Sequence, residues 1–194
     1  ITIKNGQEII DDITFEIPNL VKGHWSQMNV FDGLPSNLIS EILIEETGEI
    51  WLGTFNGLCY YNGIEVKVFD NYSTPGFPNS SLSAVFKDSK NRIWAGFTTA
   101  GAVLIDDDNI SFFNKDDGLA SNTVYTIHED AQGNILFGSD KGLSVYDGKS
   151  FTIYNAYNGL GNGWINDIEV DGNNIWFVTG DGSLVLFNGK IFKS

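Results

Sequence analysis

Apolar and polar residues alternate along this chain in short runs, and each run is broken by Gly, Asn or Asp. The stretch from Thr123 to Tyr154 shows the rhythm, with "TVYTIHE", "ILFGS", "LSVY" and "FTIY" separated by "DAQGN", "DKG" and "DGKS". Alternation at period two, carried by β-branched and aromatic residues, predicts half-buried strands. The four runs predict strands a (Thr123 to Glu129), b (Ile135 to Ser139), c (Leu143 to Tyr146) and d (Phe151 to Tyr154). The turns between them carry Gly beside Asp or Asn, the chemistry of tight hairpins. No long stretch places apolar residues at i, i+3 and i+4, so the expected fold class is all-β.

The same pattern recurs. "DGLPSNLISEILIEETGEIWLGTFNGLCYYNGIEVKVF" from Asp32 aligns without a gap with "DGLASNTVYTIHEDAQGNILFGSDKGLSVYDGKSFTIY" from Asp117, and two looser copies begin near Gly76 and Gly159. The opening glycines, Gly33, Gly76, Gly118 and Gly159, are spaced by 43, 42 and 41 residues. Four-stranded units at such a period predict a β-propeller of antiparallel blades. The expected repeats are 33–75, 76–117, 118–158 and 159–194 within a single domain. Residues 1–30, with "NG" between two apolar runs, predict a partial or closing N-terminal blade. Two arrangements stay open: a small closed propeller, or an open part of a larger one.

The repeated residues, "GL-x-SN", "G-x-IW-x-G-T-x-x-GL" and "YDG-x-x-F-x-x-Y", resemble the two-component regulator propeller repeat, over about residues 25 to 192. The copies drift: Leu136 stands where the others have Trp51, Trp94 and Trp176, and Val178 stands where they have Gly. The resemblance implies a sensory or ligand-binding module of a bacterial two-component protein. It also implies a periplasmic or extracellular location and, as partners, other domains of a larger sensor or a second subunit. The streptogramin lyases look similar in repeat length, which keeps a propeller enzyme as an alternative. A protein-protein interaction scaffold is a further one.

Charge narrows the partners. The 194 residues hold 25 acidic and 11 basic side chains, a formal charge of -14, whose field repels nucleic acid and anionic membrane surfaces. No run is long and apolar enough to span a membrane, and the first residues lack the pattern of a signal peptide. Neither nucleic acid nor membrane contact by this segment is expected. Cys59, the one cysteine, forms no internal disulfide and reads as a buried structural thiol.

In antiparallel blades the b–c and d–a connections emerge on one face, and the a–b and c–d turns on the other. The a–b turns keep one chemistry, "EETGE", "DSKNR", "DAQGN" and "DGNN", as turn geometry demands. The b–c connections differ at matching places: Phe55 and Asn56, then Thr98 and Thr99, then Asp140 and Lys141, then Asp181. On the same face the d–a connections offer Phe31, Tyr72, Tyr157 and Trp164. Trp164 fills a slot that holds Leu38, Ser81 and Thr123 elsewhere. Aromatics beside Asn and Asp suit a sugar ring and its hydroxyls, so an oligosaccharide or other small ligand is expected there. Strand a adds polar groups along the axis, notably Glu41, Thr126 and Asp167, which predict a polar channel. His24 and His128 are the histidines, and both fall away from the variable face. No catalytic residue, cofactor or metal is therefore expected.

Overall fold

In the computed structural model, residues 2–4, 7–9, 27–158, 160, 163–187 and 192–193 are described. The alternating runs all form strands. Strands β1 (Thr2–Lys4) and β2 (Gln7–Ile9) pair antiparallel across the "NG". The rest of the expected N-terminal blade, as far as residue 26, and Gly159 lie outside the described residues.

Four antiparallel sheets follow, each with its strands in sequence order. The first holds β3 (Ile39–Ile44), β4 (Ile50–Thr54), β5 (Gly57–Tyr61) and β6 (Val66–Phe69). The second holds β7 (Leu82–Lys87), β8 (Ile93–Phe97), β9 (Gly101–Asp106) and β10 (Asn109–Phe113). The third holds β11 (Val124–Glu129), β12 (Ile135–Ser139), β13 (Gly142–Tyr146) and β14 (Phe151–Tyr154), which differ from the expected bounds by one residue at most. The fourth holds β15 (Ile165–Asp171), β16 (Asn174–Thr179), β17 (Leu184–Phe187) and β18 (Phe192–Lys193). The innermost strands pack in the order β3, β7, β11, β15, and no comparable packing joins β15 to β3 among the described residues.

Three apolar layers hold the four blades together. Trp51 and Leu58 meet Leu82 and Phe97; Trp94 meets Val124, Ile127 and Phe137; Leu136 and Leu143 meet Ile165, Ile168 and Phe177. Leu136, in the slot of the tryptophans, is fully buried, so a smaller apolar side chain still fills that layer. Cys59 is buried too, and desolvation pushes its thiol up to about 11. Burial of one such large side chain contributes roughly 1.5–3 kcal/mol.

The glycine inside strand b is set by this packing. A Cβ on Gly96 would lie 2.8 Å from Val124 Cγ1, and one on Gly138 would lie 2.8 Å from Ile165 Cγ2. Both contacts are closer than carbon atoms tolerate, so the next blade can approach only where strand b has no side chain. Opposite this glycine every innermost strand carries a β-bulge, between Ile39 and Glu41, Leu82 and Ala84, Val124 and Thr126, and Ile165 and Asp167. The bulged residues are Ser40, Ser83, Tyr125 and Asn166.

The acids of the a–b turns are structural. Asp88 is buried and accepts from Trp94 Nε1 at 2.9 Å, Arg92 Nε at 2.7 Å and the Lys90 and Arg92 backbone amides at 3.0 Å. Glu45 accepts from Trp51 Nε1 at 2.8 Å, and Asp130 accepts from Asn134 Nδ2 at 2.8 Å. Polar bonds also cross from blade to blade on this face: Lys87 to Glu45, Ser89 Oγ to Glu129 at 2.7 Å, and Gln132 Nε2 to Asn173 Oδ1 at 3.2 Å. Burial opposes the ionisation of Asp88, but the hydrogen bonds from Arg92 and Trp94 outweigh it and hold its pKa below the ordinary carboxylate value. A lowered folded-state pKa stabilises the fold above the unfolded carboxylate range, and that contribution is lost as pH falls through the folded value.

Two substitutions test this framework by chemical denaturation. Asp88→Ala removes the partner of a partly buried guanidinium and of a buried indole N–H, and is expected to cost roughly 2–4 kcal/mol. Gly138→Ala is expected to cost about 1–3 kcal/mol, as overpacking of a close-packed core does. A cost below measurement error for either would remove the role assigned to it.

Candidate functional site

Hydrogen bonds tie the b–c turns to the d–a loops, which places both on one face. Asn56 Nδ2 donates to Pro35 O at 3.4 Å, Thr98 N to Ser81 O at 3.0 Å, Thr123 Oγ1 to Thr98 O at 2.9 Å, and Gly180 N to Trp164 O at 3.0 Å. The "GL-x-SN" motif braces the loops of the first and third repeats. Val30 N donates to Asn37 Oδ1 at 2.9 Å and Lys115 N to Asn122 Oδ1 at 2.8 Å.

Several variable residues are tied into their own turns or the neighbouring loops. The Asn56 backbone N–H donates to Thr54 Oγ1 at 3.2 Å, and Ser80 Oγ in the adjoining loop lies 2.7 Å from Thr99 Oγ1. Asp181 accepts from Thr179 Oγ1 at 2.7 Å and from Ser183 N at 3.1 Å. Its pKa is lowered by the Thr179 hydroxyl first and then by Ser183. Phe55 is exposed, and Tyr72 and Tyr157 stand almost wholly in solvent. These side chains do not converge on one place.

Asp140, Lys141 and Trp164 do converge, at the junction of the third and fourth blades. The Trp164 ring stacks on Tyr125, with centroids 6.0 Å apart and planes at 17°, and Trp164 remains 44% exposed. Tyr125 reaches it because it is the bulged residue of β11, and a bulge re-aims the extra side chain. On its other side Trp164 lies against Gly180, where a Cβ would sit 2.9 Å from Cγ and Cδ2. Glycine is therefore the seat of that indole. Burial raises the Tyr125 pKa, and the Asp140 charge adds to the rise, so the Asp140 carboxylate acts on the phenol. Asp140 Oδ1 is buried and accepts no hydrogen bond among the described residues. Asp140 Oδ2 lies 3.6 Å from Lys141 Nζ.

Tyr125 and Gly180 are functional candidates that the repeat pattern alone passes over. The signal was present: Tyr125 is the aromatic among Ser40, Ser83 and Asn166, and Gly180 stands where Phe55, Thr98 and Asp140 have side chains. Ser139 is the reverse case. Its hydroxyl donates to Gly142 O at 2.7 Å, as Thr54 Oγ1 does to Gly57 O at 2.8 Å, so it closes the turn.

The axial side chains line a cavity of about 260 Å³, which includes Glu41, Ser83, Tyr125, Thr126, His128 and Asp167. Glu41, Thr126 and Asp167 are the residues that follow the bulge in their strands, and Thr126 Oγ1 donates to Asp167 Oδ1 at 3.2 Å. His128 lies two residues beyond Thr126 on the same side of β11. It therefore shares the cavity with both carboxylates instead of standing apart with the a–b turns. Its ring packs on Phe86 at 5.7 Å. Burial lowers its pKa, against the pull of Asp167 and Glu169. No group of three or more His, Cys, Asp or Glu able to hold a metal occurs among the described residues. A second cleft, of about 520 Å³, lies between the a–b turns of the first two blades. Its Glu45, Lys87 and Asp88 are already committed to the structural bonds described above.

Four-stranded antiparallel sheets packed face to face, with their first strands lining a common polar cavity, define a β-propeller architecture. Residues 118–141 match the family model of the two component regulator propeller. Among solved structures, it is similar to the extracellular domain of a hybrid two component system from B. thetaiotaomicron, at 24% identity and a TM-score of 0.73, over 85% of this chain and 24% of that one. A second such domain from B. thetaiotaomicron matches at 26% identity and a TM-score of 0.64, over 79% of this chain and 22% of that one. This chain thus spans under a quarter of each. Virginiamycin B lyase from Staphylococcus aureus shares the fold at 16% identity and a TM-score of 0.56, over 81% of this chain and 59% of that one. No curated protein matches the chain. No helix among the described residues is long and apolar enough to cross a membrane.

The His128 environment is testable by NMR titration of its ring protons. Asp167→Asn removes a charge that favours the imidazolium, so the His128 pKa is expected to fall further below the ordinary histidine value. Because that pKa is already depressed, the stability it carries is complete above the unfolded histidine range and is lost as pH drops towards the folded value. His128→Phe should flatten stability across that window. An unchanged His128 pKa in Asp167→Asn would separate the two groups.

Proposed function

We propose that this chain is a non-catalytic sensory segment that binds a small ligand at the junction of its third and fourth blades, as part of a larger extracytoplasmic two-component sensor. The observation that carries the reading is the buried, unpartnered Asp140 Oδ1 beside the stacked Trp164 and Tyr125 rings. Leaving such an oxygen without a donor costs about 1–3 kcal/mol, and a turn of the partly exposed Asp140 carboxylate that brings Oδ1 to the surface lets a ligand hydroxyl recover that cost on binding. The partly exposed Trp164 indole offers an apolar edge next to this acceptor, and Lys141 adds donors at the rim. An apolar edge beside hydrogen-bonding groups suits the CH groups and hydroxyls of a sugar, so an oligosaccharide is the ligand class we favour. Phe55, Asn56, Thr98, Thr99, Tyr72, Tyr157 and Asp181 form the surroundings of this site and not its centre.

The similarity to extracellular domains of hybrid two component systems supports a sensing role and a location outside the cytoplasm. An enzyme of the streptogramin lyase kind is the second reading, because His128 shares the axial cavity with Glu41 and Asp167.

A thermal-shift screen against oligosaccharides tests the proposal. A ligand at a hundred times its Kd raises stability by about 2.7 kcal/mol. Trp164→Ala and Asp140→Ala are each expected to weaken binding about tenfold or more, equivalent to ~1.4 kcal/mol, while Phe55→Ala leaves it unchanged. Stabilisation that survives both substitutions would sink the choice of site, and conversion of the ligand, followed by mass spectrometry, would sink the non-catalytic reading.

A further inference from the structure

The axial cavity carries a charge that neither blade packing nor the rim uses. The residue after each bulge turns inward, which brings Glu41, Ala84, Thr126 and Asp167 to one space of about 260 Å³. Phe86 and His128, two residues further along their strands, face the same way and line it too. No Lys or Arg lines this space, and neither carboxylate belongs to a salt bridge among the described residues. Asp167 Oδ1 accepts from Thr126 Oγ1 at 3.2 Å and from Ile168 N at 2.9 Å. Both bonds fall on one oxygen, so Thr126 fixes the carboxylate while Oδ2 stays open to a further donor. His128 is the basic group at hand. Burial holds its pKa below the ordinary histidine value, against the pull of Asp167 and Glu169, so near neutral pH it does not offset the two negative charges.

Two like charges facing one concave space repel each other, and a cation between them turns that repulsion into two attractions. The formal charge of -14 adds a field that draws cations towards a cleft of this sign. A calcium ion asks for six to eight oxygen ligands, and no group of three or more His, Cys, Asp or Glu able to hold a metal occurs among the described residues. An organic cation asks for less. Its charge needs the carboxylates, and its carbon skeleton needs the apolar wall that Ala84 and Phe86 provide, with the Phe86 and Tyr125 rings as aromatic surface for the cation. Size sets a further limit. At about 30 Å³ for each water of the liquid, the space holds roughly nine waters, the bulk of a small amine and not of an oligosaccharide.

We propose that the axial cavity binds a small organic ammonium ion, with its charge between Glu41 and Asp167 and its carbon skeleton against Ala84 and Phe86. The ammonium N–H groups donate to Glu41 and to Asp167 Oδ2, the oxygen that Thr126 leaves open. Thr126 is a positioning residue in this site. The site is distinct from the one at Asp140 and Trp164, which selects for hydroxyls, and the two have Tyr125 in common.

Benzylamine, benzyl alcohol and benzoate share one ring and differ in charge, so together they test the site on the full wild-type chain at neutral pH. NMR titration of the His128 ring protons reads their entry into the cavity, and His128→Phe fixes the assignment of those resonances. Benzylamine is expected to move them saturably, with benzyl alcohol and benzoate binding at least about tenfold more weakly. Glu41→Gln and Asp167→Asn are each expected to weaken benzylamine about tenfold or more. Asp108→Asn removes an equal charge from the exposed turn between β9 and β10 and should leave the affinity unchanged. Equal affinity for benzylamine and benzyl alcohol overturns the proposal. So does a loss in Asp108→Asn as large as that in Asp167→Asn, which would assign the attraction to the overall field. Benzylamine binding, seen by calorimetry, that leaves the His128 resonances in place would put the amine elsewhere and also overturns it. The comparison of the three probes needs no variant to fold.

Discussion

The distance at which one blade's innermost strand passes the second strand of its neighbour governs this structure. That approach leaves no room for a Cβ at Gly96 or Gly138, and it brings Trp94, Phe137 and Leu136 into the buried layers. A residue with a side chain at the crossing would hold the sheets apart, thin the apolar layer and loosen every contact outside it. The bulge opposite the glycine belongs to the same crossing. It shifts the alternation of strand a, so that Glu41, Thr126 and Asp167 look inward while Ile42, Ile127 and Ile168 look sideways.

The two ends of the blades have divided their labour. On the a–b face acids are spent on backbone amides, indole N–H groups and bonds across blades, which leaves them little free chemistry. On the opposite face the loops are braced from beneath by Asn37, Asn122 and the turn hydroxyls, so their outward side chains can change without disturbing the layers. Function can diverge on that rim because stability is anchored elsewhere. The bulge joins the rim to the channel: Tyr125 lines the axial cavity and also stacks on Trp164.

Much of the fold was legible in the residues themselves. Strand positions in the third repeat follow from alternation and turn chemistry, which are local, and the blade architecture follows from a period that any single copy would hide. The site was legible only in outline. Trp164 and Asp140 stood out because they broke the repeat, whereas Thr98, Thr99, Asn56 and Asp181 broke it too and proved to be tied to their own turns or to the neighbouring loops. Variation in sequence marks freedom from the scaffold and does not by itself mark convergence in space. His128 illustrates the opposite limit: its place in the cavity depends on the side of β11 it occupies, which the bulge at Tyr125 sets.

The sequence by itself determined the all-β class, the four blades and the chemistry of every tight turn, because hydrophobic period and glycine conformation act over a few residues. Only the tertiary structure decided that Tyr125, Gly180, Asp140 and Trp164 meet, and that one carboxylate oxygen is buried among them without a donor among the described residues. Those outcomes arise between blades, from the spacing of sheets some forty residues apart in the chain, and no local pattern contains that distance.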